Sequence, residues 1–328
     1  MSDLNRLQRN FLNRFQGGFP LTERPYLRVA AMLGTEEATL ISILSGLLAD
    51  GILTRFGPLF DAERLGGCFT LAALSVPETD FERVAAIVNA LPQVAHNYRR
   101  DHTLNMWFVL AAPSEGELRA TIDRIQALAG LPMYDFPKLR EFHLGFWLVV
   151  GDDGNIGLRR VERQRAPATG HMDATDHAIV TATQAGLPLV PEPYALLSQE
   201  IGCEAGTVME RLGKMLDSGA VRRIGAVPNH YRLGLRGNGM SVWDIPDDMA
   251  NAIGERIGAL DFVSHCYLRP RRPPLWPYNL FAMVHGRNRA EVQAKVEIIA
   301  DLVGADCRGR RVLHSTAVLK KTGLRLAA

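Results

Sequence analysis

Apolar residues fall at helical spacing in two matching places along the chain. Leu40, Ile43, Leu44 and Leu47 follow i, i+3, i+4, i+7 spacing, and Val208, Leu212 and Met215 repeat part of it, so a helix is predicted at each. Helical stretches also precede these, over roughly residues 5–17 and 173–185, each followed by a GFPL or GLPL break and a second pattern ending near Gly34 or Gly202. Gly51 and Gly219 close the third helix in the manner of a C-terminal cap. Short basic segments follow, ILTRFG and AVRRIG. Three short helices and a tight basic strand pair read as a winged helix-turn-helix, expected over residues 1–65 and again over 173–234.

Beyond each of these the pattern alternates strand and helix. In the first stretch Cys68–Val76 reads as a strand, Phe81–Leu91 as a helix, and Val94–Arg100 with Leu104–Ala111 as a hairpin. A helix over Glu115–Leu128 and a last strand near Phe142–Val150 complete it. The later stretch repeats the order: Gly239–Trp243, Met249–Leu260, Val263–Leu268, Asn279–Val284, Arg289–Leu302 and Arg311–Val318. A β-α-β-β-α-β order predicts a ferredoxin-like sandwich, over residues 66–150 and 235–328. Residues 151–172 are polar and short of large apolar side chains, which predicts a linker.

The chain is therefore written twice. Gly18, Pro20, Pro25, Tyr26, Gly34, Gly51, Arg55, Gly57, Arg64 and Gly66 recur at one constant offset. Their partners are Gly186, Pro188, Pro193, Tyr194, Gly202, Gly219, Arg223, Gly225, Arg232 and Gly234. A period this long is a duplicated domain, not a solenoid, whose units run to about 20–50 residues. Two similar halves can pair about a pseudo-two-fold axis as the subunits of a homodimer do. The fold class predicted is α+β, a tandem duplication of winged helix-turn-helix plus ferredoxin-like domain.

Composition narrows the classes. Apolar content of 47% and charged content of 22% are ordinary for a globular protein. A net charge of +2 excludes the whole chain as an electrostatic trap for nucleic acid or membrane. No apolar run approaches the roughly 18 residues of a membrane span, and MSDLNRLQRN lacks the apolar core of a secretion signal. A cytoplasmic location is expected. Cys68, Cys203, Cys266 and Cys307 are far apart, without a CxxC pair, which argues against zinc ribbons and dithiol redox motifs.

The chemistry is read from a second echo. His96, Tyr98 and Arg100 in HNYRR match His265, Tyr267 and Arg269 in HCYLR. Alternate residues of a strand share one face, so each triplet forms a row about 13 Å long from His to Arg. Such a row offers a proton donor, a phenolic hydroxyl and a carboxylate clamp, suited to a broad, many-charged ligand. An exposed sheet face that merely carries polar residues remains the bland alternative. The Pro-stiffened segment RPRRPPLWPYN supplies Arg271, Arg272 and Trp276, read as an ordered wall whose indole covers an aromatic ligand or as a solvated basic loop. Asn105 and Asn279 recur where the next strand begins, as ligand contacts or turn formers. RFGPLFDAERLGG and RIGAVPNHYRLG share Arg64 and Arg232, and only the second carries His230. His143, His171, His177, His285 and His314 have no counterpart and are expected to have structural or surface roles.

A winged helix-turn-helix followed by a ferredoxin-like domain resembles the Lrp/AsnC family of transcription factors. The tandem duplication, RFGPLFDAERLGG, RRIGAVPNHYRLGLRGNGMSVWDIPD and the paired HNYRR and HCYLRP strands resemble, more narrowly, the siroheme decarboxylases in their fused two-subunit form. The resemblance covers nearly the whole chain. It implies removal of the carboxyl groups of two acetate side chains of siroheme, giving 12,18-didecarboxysiroheme, on the route to heme d1 or heme. His96 and His265 would be the proton donors. Tyr98, Arg100, Tyr267, Arg269, Arg64, Arg232, His230, Trp276, Asn105 and Asn279 would bind substrate.

No cofactor beyond the iron-containing tetrapyrrole itself is expected, and a protein ligand to the iron is left open. The partners implied are siroheme and, within the chain, each half for the other; dimerisation of the whole chain is left open, and neither DNA nor membrane is expected. The alternative is a DNA-binding regulator of the Lrp/AsnC type. Against it, the helix in EEATLISILSGLLADG has no basic residue, and in the second copy only Arg211 and Lys214 are available to reach phosphates. A tetrapyrrole carrier without chemistry is a third reading.

Overall fold

A computed structural model describes residues 4–161 and 172–321. The centre of the expected linker, residues 162–171 with His171, lies outside the described residues. The first copy opens with α1 (Arg6–Arg14), α2 (Pro25–Leu33), α3 (Glu37–Ala49) and β1 (Leu53–Phe60). There follow β2 (Cys68–Leu74), α4 (Phe81–Ala90), β3 (Val94–Arg100), β4 (Met106–Ala112) and α5 (Glu115–Ala129). Four short strands come next: β5 (Met133–Pro137), β6 (Arg140–Leu144), β7 (Trp147–Val150) and β8 (Ile156–Arg159). The second copy runs α6 (Ala174–Thr183), α7 (Pro193–Ile201), α8 (Ala205–Ser218) and β9 (Val221–Pro228). It ends with β10 (Gly237–Asp244), α9 (Ala250–Gly258), β11 (Val263–Leu268), β12 (Leu280–Gly286), α10 (Arg289–Val303) and β13 (Gly309–Lys321).

The chain forms two compact units, and each draws on both copies. The described residues of the first lie within Met1–Leu65, Trp147–Leu158 and Arg163–Gly234, those of the second within Gly66–Phe146, Arg159–Glu162 and Leu235–Ala328.

In the first unit the helix boundaries follow local chemistry. Pro25 and Pro193 occupy the first turns of α2 and α7, and Gly34 and Gly202 end them in the left-handed conformation. The wing is not a hairpin within each copy. β1 pairs antiparallel with β9, and Gly57 lies opposite Gly225 on the pseudo-dyad. Neither position has room for a side chain. A Cβ on Gly57 would fall 2.6 Å from the Leu187 amide nitrogen, and one on Gly225 would fall 2.4 Å from the Phe15 carbonyl oxygen. That approach lets Leu187 N–H donate to Phe56 O and Ala226 N–H to Phe15 O, both at 2.8 Å. The tyrosines repeat the exchange: Tyr26 Oη donates to Pro188 O, and Tyr194 Oη to Pro20 O. β7 and β8 form a hairpin where a linker was expected to begin. Asn13 of α1 and Gln16 just beyond that helix hold it through Val150 and Leu148. The first ferredoxin-like segment therefore ends at Phe146, not at Val150.

The second unit is one nine-stranded antiparallel sheet in the order β5-β2-β4-β3-β13-β10-β12-β11-β6. The last strand of each copy is shared. β13 pairs with β10 through His314 and then with β3 from Ser315 onward. In the first copy β5 pairs with β2 and β6 pairs with β11 of the second. The expected strand near Phe142–Val150 is thus replaced by one that starts at Met133. Pro132 just before it and Pro137 at its end resemble breakers, but Pro137 sits where the chain changes partner, a place that tolerates the missing N–H. Only Lys138 and Leu139 separate β5 from β6, so the chain joins the two ends of the sheet into a ring.

Each half covers its own outer face with helices. Ala72, Leu74, Val94, Met106, Phe108 and Leu110 pack on α4 and α5, and Trp243, Val263, Cys266, Leu280, Ala282 and Val284 pack on α9 and α10. The residues in between point the other way into a third cluster shared by both halves, built on Trp107, Phe136, Met240, Val242, Trp276 and Phe281.

Candidate active site

The inner face of this ring carries both triplets. On β3, Asn97 is fully buried and its amide donates to Asn89 Oδ1 on α4 at 3.0 Å, which fixes the outward parity. His96, Tyr98 and Arg100 consequently face inward. On β11, Cys266 packs on the helix side and His265, Tyr267 and Arg269 face inward. Three strands lie between β3 and β11 in one direction around the ring (β13, β10 and β12) and four in the other (β4, β2, β5 and β6), so the rows stand on opposite walls. Their geometry matches: ring centroids lie 6.3 Å apart for His96 and Tyr98, and 6.1 Å for His265 and Tyr267.

A bulge precedes each histidine. On β3 the pairing steps from Val94–Leu110 to His96–Val109, leaving Ala95 as the extra residue. On β11 it steps from Val263–Val284 to His265–Met283, leaving Ser264. A bulge bends a strand and re-aims the adjoining side chain, a device common beside active sites.

The two histidines differ in surroundings. His96 Nδ1 is buried without a hydrogen-bond partner. Burial first, and Lys321 second, lower its pKa to about 4. Lys321 lies across from it on β13, and burial holds that ammonium below the ordinary lysine value. His265 Nδ1 is 2.7 Å from Ser264 Oγ, which is itself 2.7 Å from His285 Nε2. His285 Nδ1 is in turn 2.5 Å from Asn238 Oδ1. Sequence reasoning passed over these three and Lys321. Strand parity was the available signal: His285 alternates with the inward Phe281 and Met283, and Asn238 with the inward Met240 and Val242.

Other expected contacts take structural places. Arg100 and Arg269 are 7% and 6% exposed. Each donates to a backbone carbonyl of a crossing strand, Arg100 to Leu313 O at 2.7 Å and Arg269 to Phe136 O, and each stacks on its own tyrosine. These contacts anchor the strand exchange. Asn105 takes both polar groups of Val76, and Asn279 both of Ile245, so these amides are turn formers. Trp276 is fully buried against Trp107, Phe136, Tyr278 and Phe281 inside the ring. Its segment is ordered, with Arg272 and Trp276 exchanging backbone hydrogen bonds at 2.7 Å. Arg271 pairs with Asp244 and Asp247, and Arg272 donates to Asp135 O.

Arg64, Arg232 and His230 belong to the first unit. Arg64 donates to Ser218 O at the end of α8, and Arg232 lies over Gly51 past the end of α3. Cations there complement the helix dipoles. His230 stacks on Tyr231 with centroids 4.3 Å apart.

The basic residues needed for DNA are engaged as well. Arg211 pairs with Asp173 and Asp176, Lys214 with Glu210 and Arg222 with Asp61, while Arg55 and Arg223 donate to Gln184 O and Gln16 O. Among the described residues no group of three or more His, Cys, Asp or Glu side chains could hold a metal ion, and no single helix is long and apolar enough to cross a membrane.

Known proteins match this architecture along its full length. The family model described as the siroheme decarboxylase NirDL-like HTH domain matches residues 8–53 and 176–222. The AsnC-like ligand binding domain matches residues 64–143 and 232–320. The siroheme decarboxylase NirDL subunit of Paracoccus denitrificans is 34% identical over 99% of this chain and 98% of its own length. The NirH subunit of Paracoccus pantotrophus is 56% identical over 47% of this chain and 96% of its own length. Among solved structures, siroheme decarboxylase NirDL superposes with a TM-score of 0.74 at 28% identity, covering 99% of this chain and 95% of that one. NirDL in complex with an iron-uroporphyrin III analogue superposes with a TM-score of 0.72 at 29% identity, covering 97% and 92%.

Proposed function

The chain belongs to the siroheme decarboxylase family, and we propose from that membership that it converts siroheme to 12,18-didecarboxysiroheme by removing the carboxyl groups of two acetate side chains. The observation that carries this reading is the doubled inward row, with one histidine and one tyrosine on each of two opposite walls. A substrate with two acetates to lose matches a site with two proton donors. The regulator reading is set aside, because the helix-turn-helix model that matches is that of the decarboxylases and the basic residues of these helices are paired internally.

In each half-reaction the bond between methylene and carboxylate breaks and carbon dioxide leaves. The electron pair stays on the methylene, where the conjugated pyrrole delocalises it, and a histidine N–H supplies the proton that completes the methyl group. The substrate's own macrocycle is the electron sink, so the scheme uses no separate cofactor. By reaction class this is a carboxy-lyase. In the empty protein His96 is neutral at pH 7, given a pKa of about 4. The negative charge of a pigment beside it and Lys321 offsets that depression, so binding favours the protonated, donating form. Lys321, not Arg100, is the cation facing the histidine end of its row. Free cysteines at all four positions suit the reducing cytoplasm, where we place the protein.

Anaerobic incubation with siroheme, followed by mass spectrometry, is expected to show the loss of two carbon dioxide equivalents. His96→Ala and His265→Ala should each slow the loss by about 100-fold or more, the contribution typical of a positioned acid. Turnover at the parent rate in both variants would remove these residues from the chemistry. Bound but unchanged pigment in the parent chain would make it a carrier.

A further inference from the structure

The two walls of the ring are not chemically equal. In the second half, Asn238, His285, Ser264 and His265 form one hydrogen-bonded series with steps of 2.5, 2.7 and 2.7 Å. Ser264, His285 and Asn238 are 2%, 4% and 5% exposed, so water does not compete for these bonds. In the first half the same sheet positions carry apolar side chains. Asn238 pairs across the sheet with His285, and the equivalent pair is Phe69 with Ala111. The bulged Ser264 has Ala95 as its counterpart.

The bulge is what makes the series possible. Neighbouring residues of a regular strand point to opposite faces, whereas the extra residue at 264 lets Ser264 Oγ reach the ring next to it in sequence. Directions then follow from the acceptor at the far end. Asn238 Oδ1 accepts from His285 Nδ1–H, which leaves Nε2 of that neutral ring as an acceptor. Ser264 Oγ–H donates to His285 Nε2 and accepts from His265 Nδ1–H. Phe146, edge-on at 4.7 Å between ring centroids, and a Lys295 ammonium on the His285 carbonyl at 2.8 Å hold the middle of the series in place.

Resting on the decarboxylase reading above, we infer that Ser264, His285 and Asn238 are positioning residues that fix the His265 ring with Nδ1 as the permanent donor and Nε2 as the nitrogen that carries the transferable proton. Ser264 accepts the Nδ1 proton whether His265 is imidazolium or imidazole. The ring therefore delivers its Nε2 proton to the substrate methylene without any member of the series rotating. A donor held in this way needs no reorganisation when charge develops. His96 has no such support, since its Nδ1 is buried without a partner. The step served by His265 is the preorganised one of the two.

Ser264→Ala and His285→Phe test this. Each is expected to lower kcat for one of the two decarboxylations about 10- to 100-fold, leaving KM and pigment affinity within about two-fold. The double variant should be no slower than the slower single, because both substitutions break one series. Ser264→Thr, which keeps the hydroxyl, should recover most of the rate. Additive losses, or a loss confined to KM, would overturn the inference. Nitrogen-15 NMR of the imidazole rings in the pigment-free protein gives an independent reading. Neutral His265 should be the Nδ1–H tautomer in the parent and a mixture in Ser264→Ala; a mixture in the parent would equally overturn it. A parent chain that showed the fixed tautomer yet released no carbon dioxide would instead refute the decarboxylase reading.

Discussion

Replacing His96 by glutamine removes a group that titrates differently in the folded and unfolded chain. Unfolded, the imidazole has its ordinary pKa of 6.5, while folded it is lowered to about 4 by burial and by Lys321. Between these values the unfolded chain takes up a proton that the folded chain refuses, so stability rises with pH across that interval. The contribution is fully present above pH 6.5 and is lost as pH falls toward 4. At about 1.4 kcal/mol for each tenfold change in proton affinity, the gap is worth about 3 kcal/mol. For a domain of about 150–250 residues that corresponds to roughly 6–12 °C in Tm. Burial also lowers the pKa of His102, His143 and His314, so the parent curve alone is not diagnostic. The quantity to measure is Tm of the parent minus Tm of His96→Gln, by circular dichroism from pH 7.5 to pH 4.5. The parent should lose more on acidification than the variant. A difference that stays flat over that range would refute the claim that His96 is neutral in the empty protein, and with it the proton uptake expected on pigment binding.

Two further substitutions probe the scaffold. Gly225→Ala brings a methyl group within 2.4 Å of the Phe15 carbonyl oxygen and 2.6 Å of the Gln16 carbonyl carbon. Backbone cannot swing aside as a side chain can, and the Ala226–Phe15 hydrogen bond goes with it, so a cost of about 2–4 kcal/mol is expected as a lower urea midpoint. A midpoint equal to the parent's would contradict so close an approach. Trp276→Ala empties the shared cluster inside the ring and should cost about 3–5 kcal/mol. A small effect on stability with a large loss of pigment affinity would show that the indole meets the ligand after all.

Local periodicity made much of this molecule legible. The paired helices around Leu44 and Leu212, the strand carrying HNYRR and the common face of each His-Tyr-Arg triplet all follow from spacing within one segment. What spacing could not convey was which strand pairs with which. The β1–β9 wing and the divided terminal strands join residues more than a hundred positions apart, and nothing in ILTRFG or MYDFPKLREF names the partner. The roles of Arg100, Arg269 and Trp276 turned on the same information. A charged or aromatic residue reads as a ligand contact until the carbonyl or ring it meets from the other half is known. His285 was discounted because it has no repeat partner, although departure from the repeat is what a specialised half requires.

The shared terminal strands bear on why two such halves would reside in one polypeptide. Either half by itself would leave β1 or β9 unmatched and the edge of β3 or β11 bare. Exposed strand edges of this kind are templates for indiscriminate association. Separate subunits could satisfy those edges as like pairs, which would give rings with two Ser264-type walls or with none. Covalent fusion raises the effective concentration of the unlike neighbour far above that of any stranger. Every assembled molecule then holds one wall of each kind.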